Sequence, residues 1–309
     1  MKKHQLIIIG SGPAGLSAAL AARDKGISDI LIIDRNKRPG GLLYQCVHTG
    51  FGMRRFGEEL TGPEYADKLI SQIEGSGAEI LTDTSVINIY EDRTVMTSGK
   101  NGVQEFKADG IIAATGCRER TIESLPVTGT RPSGIFTAGS VQKMMNISGY
   151  SVGENIVMLG SGDIGLIVAR GLAQAGKKVL AVIEQSETCG GIVRSRAECL
   201  DAFGIPLLTR CTISKLYGEE RLTGVRISPV DKQGGADDAR GAIIQKSFDM
   251  ECDTQITSLG LIPEIDLLWD LGVQPWLFIC GNARHVQVFA DDVADDGTIA
   301  GERAAEFIL

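Results

Sequence analysis

The sequence predicts an α/β protein built from two parallel-sheet units of one design, the second inserted into the first. Three observations carry that reading. The chain has 309 residues, enough for about two domains that each bury a core. It holds 39 glycines and few aromatics, which suits parallel strands joined to helices by tight turns. It also matches itself. "QLIIIGSGPAGLSAALAARDKGISDILIID" from Gln5 aligns without a gap on "NIVMLGSGDIGLIVARGLAQAGKKVLAVIE" from Asn155. Gly10, Gly12 and Gly15 fall on Gly160, Gly162 and Gly165. Gly26 falls on Gly176, Asp34 on Glu184, and Gly40-Gly41 on Gly190-Gly191. Two copies of one structural unit are implied.

Each copy reads as strand, glycine turn, helix, strand, acidic residue. Leu6–Ile9 and Ile156–Leu159 are continuous apolar runs of buried parallel-strand type. In the GxGxxG turn the first glycine permits the tight bend. The second lets a pyrophosphate approach the backbone, and the third lets helix and strand pack closely. The helix start then offers free N–H groups and a positive dipole end to phosphate. Asp34 and Glu184 close the second strand of each copy, where a carboxylate is placed to bond a ribose diol. The second copy thus offers Gly160, Gly162, Asp163, Ile164, Gly165 and Glu184 as nucleotide contacts. Gly260, at the carboxyl end of a later buried strand, joins them. Gln185 and Ser186 follow Glu184 where a basic residue would favour a 2′-phosphate, so NAD is expected over NADP. Arg194 and Arg196 lie further on. Two Rossmann-like dinucleotide-binding domains of the three-layer ββα type are therefore expected.

The other segments follow in order. "GGLLYQCVHTGFG", residues 40–52, puts Cys46 and His48 in a glycine-rich loop. "FGEELTGPEYADKLISQIE" reads as a helix entry, with Thr61 as N-cap, Pro63 near the start and Glu64 at the third helical position. "AEILTDTSVINIYED", "RTVMTSG" and "VQEFKADGIIAATG" read as strands. Residues 119–150, rich in Pro, Gly, Thr and Arg, read as a connection. The expected division is a first domain over 1–118, that connection, a second domain over 151–272, and a return to the first domain over 273–309. "DKQGGADDARGA" reads as a polar surface turn. "GTIAGERAAEFI" reads as a closing helix with Ile299, Ala304, Phe307 and Ile308 on its packed face.

Composition excludes several classes. The net charge is -8 with acids spread along the chain, which argues against nucleic acid or an anionic membrane as main partner. No apolar run approaches the roughly 20 residues of a spanning helix. The start, two lysines before an apolar run, imitates a signal peptide; glycines interrupt the run early, and a folded strand and helix are expected. Seven cysteines without a CxxC pair fit a reducing cytoplasm better than a disulfide framework. They supply no zinc spacing, and no metal site is expected.

The two dinucleotide turns together with "ATGCRER" and "LGLIPE" resemble the FAD- and NAD(P)-dependent pyridine nucleotide-disulfide oxidoreductase superfamily, over nearly the whole chain. "GGLLYQCVHTGFGMRRFGEELTGPEYA", "VTGTRPSGIFTAGSVQKMMN", "SGDIGLIVAR" and "ECLDAFGIPLL" are similar to a bacterial group of flavoprotein oxidoreductases often encoded beside a glycerol-3-phosphate dehydrogenase-like protein and a small cysteine-rich protein. The resemblance implies FAD in the first domain and NAD(H) as co-substrate in the inserted one. It assigns Gly10, Gly12, Pro13, Ala14 and Gly15 to the FAD pyrophosphate, and Asp34 and Arg35 to its adenosine. Gly41, Leu42, Thr115 and Gly116 lie along the cofactor, Val86 meets adenine through its backbone, and Gly281 and Asn282 form the C-terminal flavin motif. The wider superfamily has Asp at the place of Asn282; Asn still hydrogen-bonds but adds no charge. The closing helix would direct its dipole at the reduced ring. Between "LWDLGV" and "LFICGN" only Gln274, Pro275 and Trp276 stand, where such proteins carry about 20–30 more residues. A pared-down end to the flavin domain's sheet is expected there. The group also suggests those two encoded proteins, and a second copy of this chain, as partners.

Dithiol members of the superfamily place paired cysteines near the flavin or in the NAD domain, and this chain has neither pairing. Three readings stand for Cys46: a thiol that cycles through sulfenic acid if His48 or the flavin lowers its pKa, a packed residue beside the ring, or a metal ligand. His48 either positions flavin or substrate or makes an ordinary loop hydrogen bond. Three functions stand as well. One is an FAD-dependent oxidoreductase taking hydride from NADH. Another is an amine or hydroxy-acid dehydrogenase subunit with a vestigial second site. The last is a non-catalytic flavin-binding assembly subunit.

Overall fold

The computed structural model describes residues 2–230 and 246–309, with the backbone pairs 236–237 and 243–244 between them. The polar turn expected at 231–242 lies outside the described residues apart from 236–237. By internal packing the chain divides into two units: Met1–Arg118 with Ile262–Leu309, and Glu119–Leu261.

The first unit opens with β1 (Lys2–Ile9), α1 (Pro13–Asp24) and β2 (Ile30–Ile33). β1 and β2 are parallel, with Leu6 opposite Ile30 and Ile9 opposite Ile33. The chain passes through α2 (Gly62–Glu74) to β3 (Glu79–Leu81). α2 starts at a reciprocal cap: the Glu64 amide donates to Thr61 Oγ1 and the Thr61 amide to the Glu64 carboxylate at 2.7 Å. That interaction holds the Glu64 carboxyl below its ordinary range. β4 (Thr84–Ile89), β5 (Thr94–Gly99) and β6 (Gly102–Ala113) form an antiparallel meander. β6 is long enough to serve two layers. Its first half pairs with β5 and its second half with β1.

The second unit holds β7 (Thr128–Gly129), β8 (Ile135–Thr137), α3 (Ala138–Asn146), β9 (Asn155–Leu159), α4 (Asp163–Gln174) and β10 (Lys178–Ile183). α5 (Val193–Cys199), β11 (Leu207–Leu208), β12 (Cys211–Gly218), β13 (Leu222–Pro229), β14 (Phe248–Glu251) and β15 (Thr254–Thr257) follow. Its parallel sheet has the order β8-β15-β9-β10-β11, and a second sheet the order β7-β12-β13-β14. Apolar side chains of β9 and β10 alternate between two cores: Ile156, Met158 and Val182 face one, Val157, Leu159, Ala181 and Ile183 the other. Residues 119–150, expected as a connection, are built into this unit. Ile135 pairs with Gln255 at the sheet edge and Thr128 with Lys215.

The last segment rejoins the first unit as β16 (Leu277–Ile279) and α6 (Ala290–Ile308). β16 runs parallel to β6, with Leu277 opposite Ile111. The parallel order β3-β2-β1-β6-β16 therefore repeats that of the second unit, read from β11 to β8. The fold is α/β with two Rossmann-like sheets, as the repeat implies. The pared-down sheet expected near Gln274 is not found, because the fifth strand is present. Leu268, Leu271 and Trp276 on the short link before it are buried against Ile111 and Val95.

α6 corrects the expected packed face. Ile299 and Phe307 are exposed, while Gly297, Ala300, Gly301, Ala304 and Ala305 are buried. The cause is a close crossing with α1. A Cβ on Gly297 would lie 2.1 Å from the Ala14 carbonyl oxygen, and one on Gly301 2.2 Å from that of Ala18. Only small residues fit there; of the four residues expected on the packed face, Ala304 is buried and Ile308 packs partly buried against the core, while Ile299 and Phe307 lie on the exposed side. Among the described residues no helix is long and apolar enough to cross a membrane.

Candidate functional site

The first glycine turn separates packing glycines from an open one. Gly10 leaves β1 with φ +102°, and its amide bonds the Ile33 carbonyl at 2.8 Å. A Cβ on Gly10 would sit 2.4 Å from the Ala114 oxygen, and one on Gly15 1.9 Å from the Gly10 oxygen. A Cβ on Gly12 would meet nothing within 4 Å. Pro13, Ala14 and Gly15 begin α1, whose N-cap Gly12 has no side-chain cap and whose first turn has no acid. The first amides of the helix have no intrahelical partner and sit at its positive pole. That is a cradle for an anion, and a pyrophosphate fits it.

Three other segments converge on the turn. Gly41 (φ +59°) comes so close that its Cβ would lie 3.0 Å from Gly12 Cα. Gly281 (φ +61°) approaches from the end of β16, where a Cβ would lie 2.7 Å from Ala14 Cβ. Thr115, at the end of β6, donates its Oγ1 hydroxyl to the Glu264 carbonyl at 2.5 Å, and Gly116 accepts from the Glu264 amide. Asn282 accepts from the Gln287 amide at 2.9 Å and points its Nδ2 at Cys117 Sγ, 3.7 Å away. Leu42 and Arg35 are exposed. Val86 lies two residues beyond Thr84, whose amide bonds the Asp34 carbonyl.

Asp34 is buried and fully engaged. Oδ2 accepts from the Ser11 amide at 2.8 Å and from Ser11 Oγ at 2.5 Å; Oδ1 accepts from the Asn36 amide at 2.8 Å and Nδ2 at 3.0 Å. A carboxylate has about four acceptor sites, and all are taken. The carboxylate locks the glycine turn to the end of β2, and a ribose diol would have to replace Ser11 Oγ or Asn36 Nδ2.

The second unit repeats the construction. Gly160 (φ +99°) bonds the Ile183 carbonyl at 2.7 Å, and its Cβ would lie 2.1 Å from the Ser258 oxygen. Gly165 packs on Ser258, and Gly162 is again nearly free, with Ser258 Oγ at 3.9 Å as the nearest atom. Asp163 in the first turn of α4 accepts from the Ile192 amide at 3.1 Å, and Ile164 is exposed. Glu184 Oε2 accepts from the Ser161 amide at 3.0 Å and Oγ at 2.6 Å, and Oε1 from the Ser186 amide at 2.9 Å. Unlike Asp34 it keeps an acceptor site and is partly exposed. Gly260 (φ +90°) has open space about it. Arg194 and Arg196 are engaged by Glu198 at 2.7 Å and Asp201 at 3.8 Å.

Cys46 closes the short helical turn Gly41–Gln45 and is half-buried. Its Sγ donates to the Leu42 carbonyl at 3.4 Å, and burial pushes the thiol up from 9 to about 11. That is opposite to the shift a redox thiolate needs. The Cys46 carbonyl accepts from the Gly62 amide at 2.9 Å, which ties the loop to α2. His48 Nδ1 donates to the Thr49 carbonyl at 2.9 Å, and its ring lies 5.2 Å from that of Phe51.

Sequence reading passed over Ser11, Ser161 and Asp296. Ser11 and Ser161 make the same bonds to Asp34 and Glu184; their matched place in the repeat was the available signal. Asp296, on α6, is buried, accepts from the Gly281 amide at 2.7 Å and binds the Arg284 guanidinium. Arg54 donates to Asp292 at 2.6 Å and Asp295 at 2.8 Å, and its amide to Asp291 at 3.2 Å. These carboxylates oppose the expected use of the α6 dipole toward an anionic ring.

The chain is similar to several known proteins. An opine oxidase subunit from Agrobacterium tumefaciens (strain Ach5) is 26% identical over 333 aligned residues, covering 98% of this chain and 63% of that protein. Hydrogen cyanide synthase subunit HcnB of Pseudomonas protegens is 24% identical over 293, covering 87% and 59%. The chain thus spans less than two thirds of the length of these relatives. The crystal structure of Lactococcus lactis thioredoxin reductase matches with a TM-score of 0.75 at 19% identity, covering 99% of both chains, and so shares the fold. The family model for pyridine nucleotide-disulphide oxidoreductases matches residues 4–279. With both dinucleotide units in place over that span, the chain belongs to the pyridine nucleotide-disulphide oxidoreductase family.

Proposed function

We propose that the chain is an FAD-dependent oxidoreductase that uses NADH as hydride donor. The observation that carries this reading is the open second glycine, present once in each unit at the start of an uncapped helix. A glycine with no packing neighbour is explained by a ligand that needs the space. Bound flavin would supply the redox chemistry, accepting hydride and passing electrons to an acceptor. The protein's part is to hold and orient. Gly10 to Gly15 and Gly281 would fix the FAD diphosphate, with Gly41 and Leu42 beside it. Thr115, Gly116 and Asn282 would line the isoalloxazine end, and Asp34, Arg35 and Val86 the adenosine end. Gly160, Gly162, Asp163, Ile164, Gly165 and Gly260 would hold NADH, with Glu184 using its spare acceptor site on the ribose. Cys46 we assign to packing beside the ring, since its thiol stays protonated. His48 would support the same loop through Thr49 and Phe51.

Anaerobic titration of the purified protein with NADH tests the reading. Bleaching of a yellow flavin band is expected. A colourless protein that cannot be reconstituted with FAD overturns it. A Cys46→Ser variant should bleach and turn over within about twofold of wild type; loss with every acceptor would return the redox-thiol reading.

The similarity to an opine oxidase subunit supports a second reading, in which the chain is the part of a larger enzyme that oxidises an amine or hydroxy acid. A yellow protein that NADH leaves unbleached but such a substrate bleaches would favour it. The same proposal covers the partners: a glycerol-3-phosphate dehydrogenase-like protein and a small cysteine-rich protein as electron-transfer neighbours. Co-purification from the native host would test them.

A further inference from the structure

The second unit carries a cation just past its edge strand, next to the strand that ends before Glu184. Arg210 follows β11, the edge strand whose residues Leu207 and Leu208 pair with Val182 and Ile183 of β10. Its backbone lies in the left-handed region at φ +53°, which a long side chain adopts only when its neighbours enforce it. Here they do. The Arg210 amide donates to the Ser186 carbonyl at 3.0 Å, the Val230 amide donates to the Arg210 carbonyl at 2.8 Å, and the Cys211 amide donates to the Glu184 carbonyl at 2.9 Å. Arg210 is therefore fixed across the loop that begins with Glu184.

Its guanidinium meets one carboxylate. Nη2 donates to Glu187 Oε1 at 2.5 Å. The side chain of Glu187 is 73% exposed and that of Arg210 31%, so the acid is a solvent-facing group laid over an anchored cation. The contact is single-pronged, and Arg210 Nε is buried with no hydrogen-bond partner among the described residues. A guanidinium has five donors in a planar fork suited to phosphate. Among the described residues Glu187 is the one carboxylate partner of Arg210, whose side chain is 31% exposed. The other arginines of the neighbourhood, Arg194 and Arg196, are turned to Glu198 and Asp201 on or just past α5.

Resting on the reading of this unit as a nicotinamide-nucleotide site, we infer that Glu187 sets the preference for NADH by masking Arg210. A nucleotide 2′-phosphate brought to the ribose end meets two carboxylates, Glu184 and Glu187, and a guanidinium already neutralised. With the Glu187 charge removed, the same phosphate meets one carboxylate and an anchored, unmasked arginine. The coenzyme specificity of this chain thus depends on a residue three positions beyond the ribose carboxylate, acting through a cation just past the next strand.

The test is equilibrium binding of NAD+ and NADP+ to the purified full chain by calorimetry, since neither oxidised nucleotide reduces flavin. Glu187→Gln should tighten NADP+ roughly tenfold and leave NAD+ within about twofold. The gain should shrink as salt is raised and vanish in Glu187→Gln with Arg210→Gln. NAD+ binding with an unchanged ratio to NADP+ in Glu187→Gln overturns the inference alone. Failure of both nucleotides to bind wild type and variants overturns the nucleotide-site reading, and the inference with it.

Discussion

Gly12 and Gly15 stand three residues apart in one turn and serve opposite purposes. A Cβ on Gly15 would press to 1.9 Å on the Gly10 oxygen, while one on Gly12 would enter empty space. Gly15→Ala should therefore destabilise the fold by about 2 kcal/mol or more, measured by urea unfolding. Gly12→Ala, at an extended φ of -72°, should leave the unfolding midpoint within about 1 kcal/mol of wild type and still lose FAD on reconstitution. Equal loss of stability in both would show that Gly12 is structural. The glycines and their two acids were legible in the sequence because the motif is local and occurs twice. Asp296 and Arg210 were not. Asp296 reaches the Gly281 amide across 15 residues, and Arg210 reaches Glu187 across 23. An acid in a helical pattern, or an arginine after a strand, reads as a solvated side chain until the backbone brings its partner near.

At the scale of the element, α6 shows why a helix is easier to find than its buried face. The spacing of Ile299, Ala304, Phe307 and Ile308 locates a helix, but counting large apolar residues assumes that they are the buried ones. At a crossing as close as that of α1 and α6, volume decides instead, and the glycines and alanines go inside. Gly301→Ala should cost about 2 kcal/mol in urea unfolding, because its Cβ meets the Ala18 carbonyl and neither helix can yield without the other. Ile299→Ser, on the exposed face, should change stability by less than about 0.5 kcal/mol. The reverse ranking would mean that the helix packs by its bulky face after all. The start of α2 was legible in full, since a capping box is a four-residue pattern. Thr61→Ala should cost about 1 kcal/mol.

At the scale of the whole molecule, the duplicated unit was legible because both copies kept their glycines in register over 30 residues. What the repeat did not show is how each sheet gains its fifth strand: β16 arrives from the end of the chain and β8 from before the second copy. Such closure depends on pairing at a distance, and short strands of three residues leave little periodicity to read. Both units also bury thiols, and this sets a property of the folded chain. Burial raises Cys46 and Cys211 from 9 to about 11, and Cys252 and Cys280 to about 12. Below pH 9 these thiols are protonated in both states and give no slope. Above it the unfolded chain releases their protons while the folded chain retains them, so the unfolded state binds fewer protons and stability falls as pH rises. The urea midpoint should therefore drop progressively between about pH 9 and 11. Tyr44 and Tyr65, also raised by burial, add a loss of the same sign. A Cys211→Ala, Cys252→Ala variant isolates the thiols: its midpoint should start lower for the lost packing but fall less steeply with pH. A slope as steep as wild type would place the alkaline sensitivity in groups other than these two cysteines.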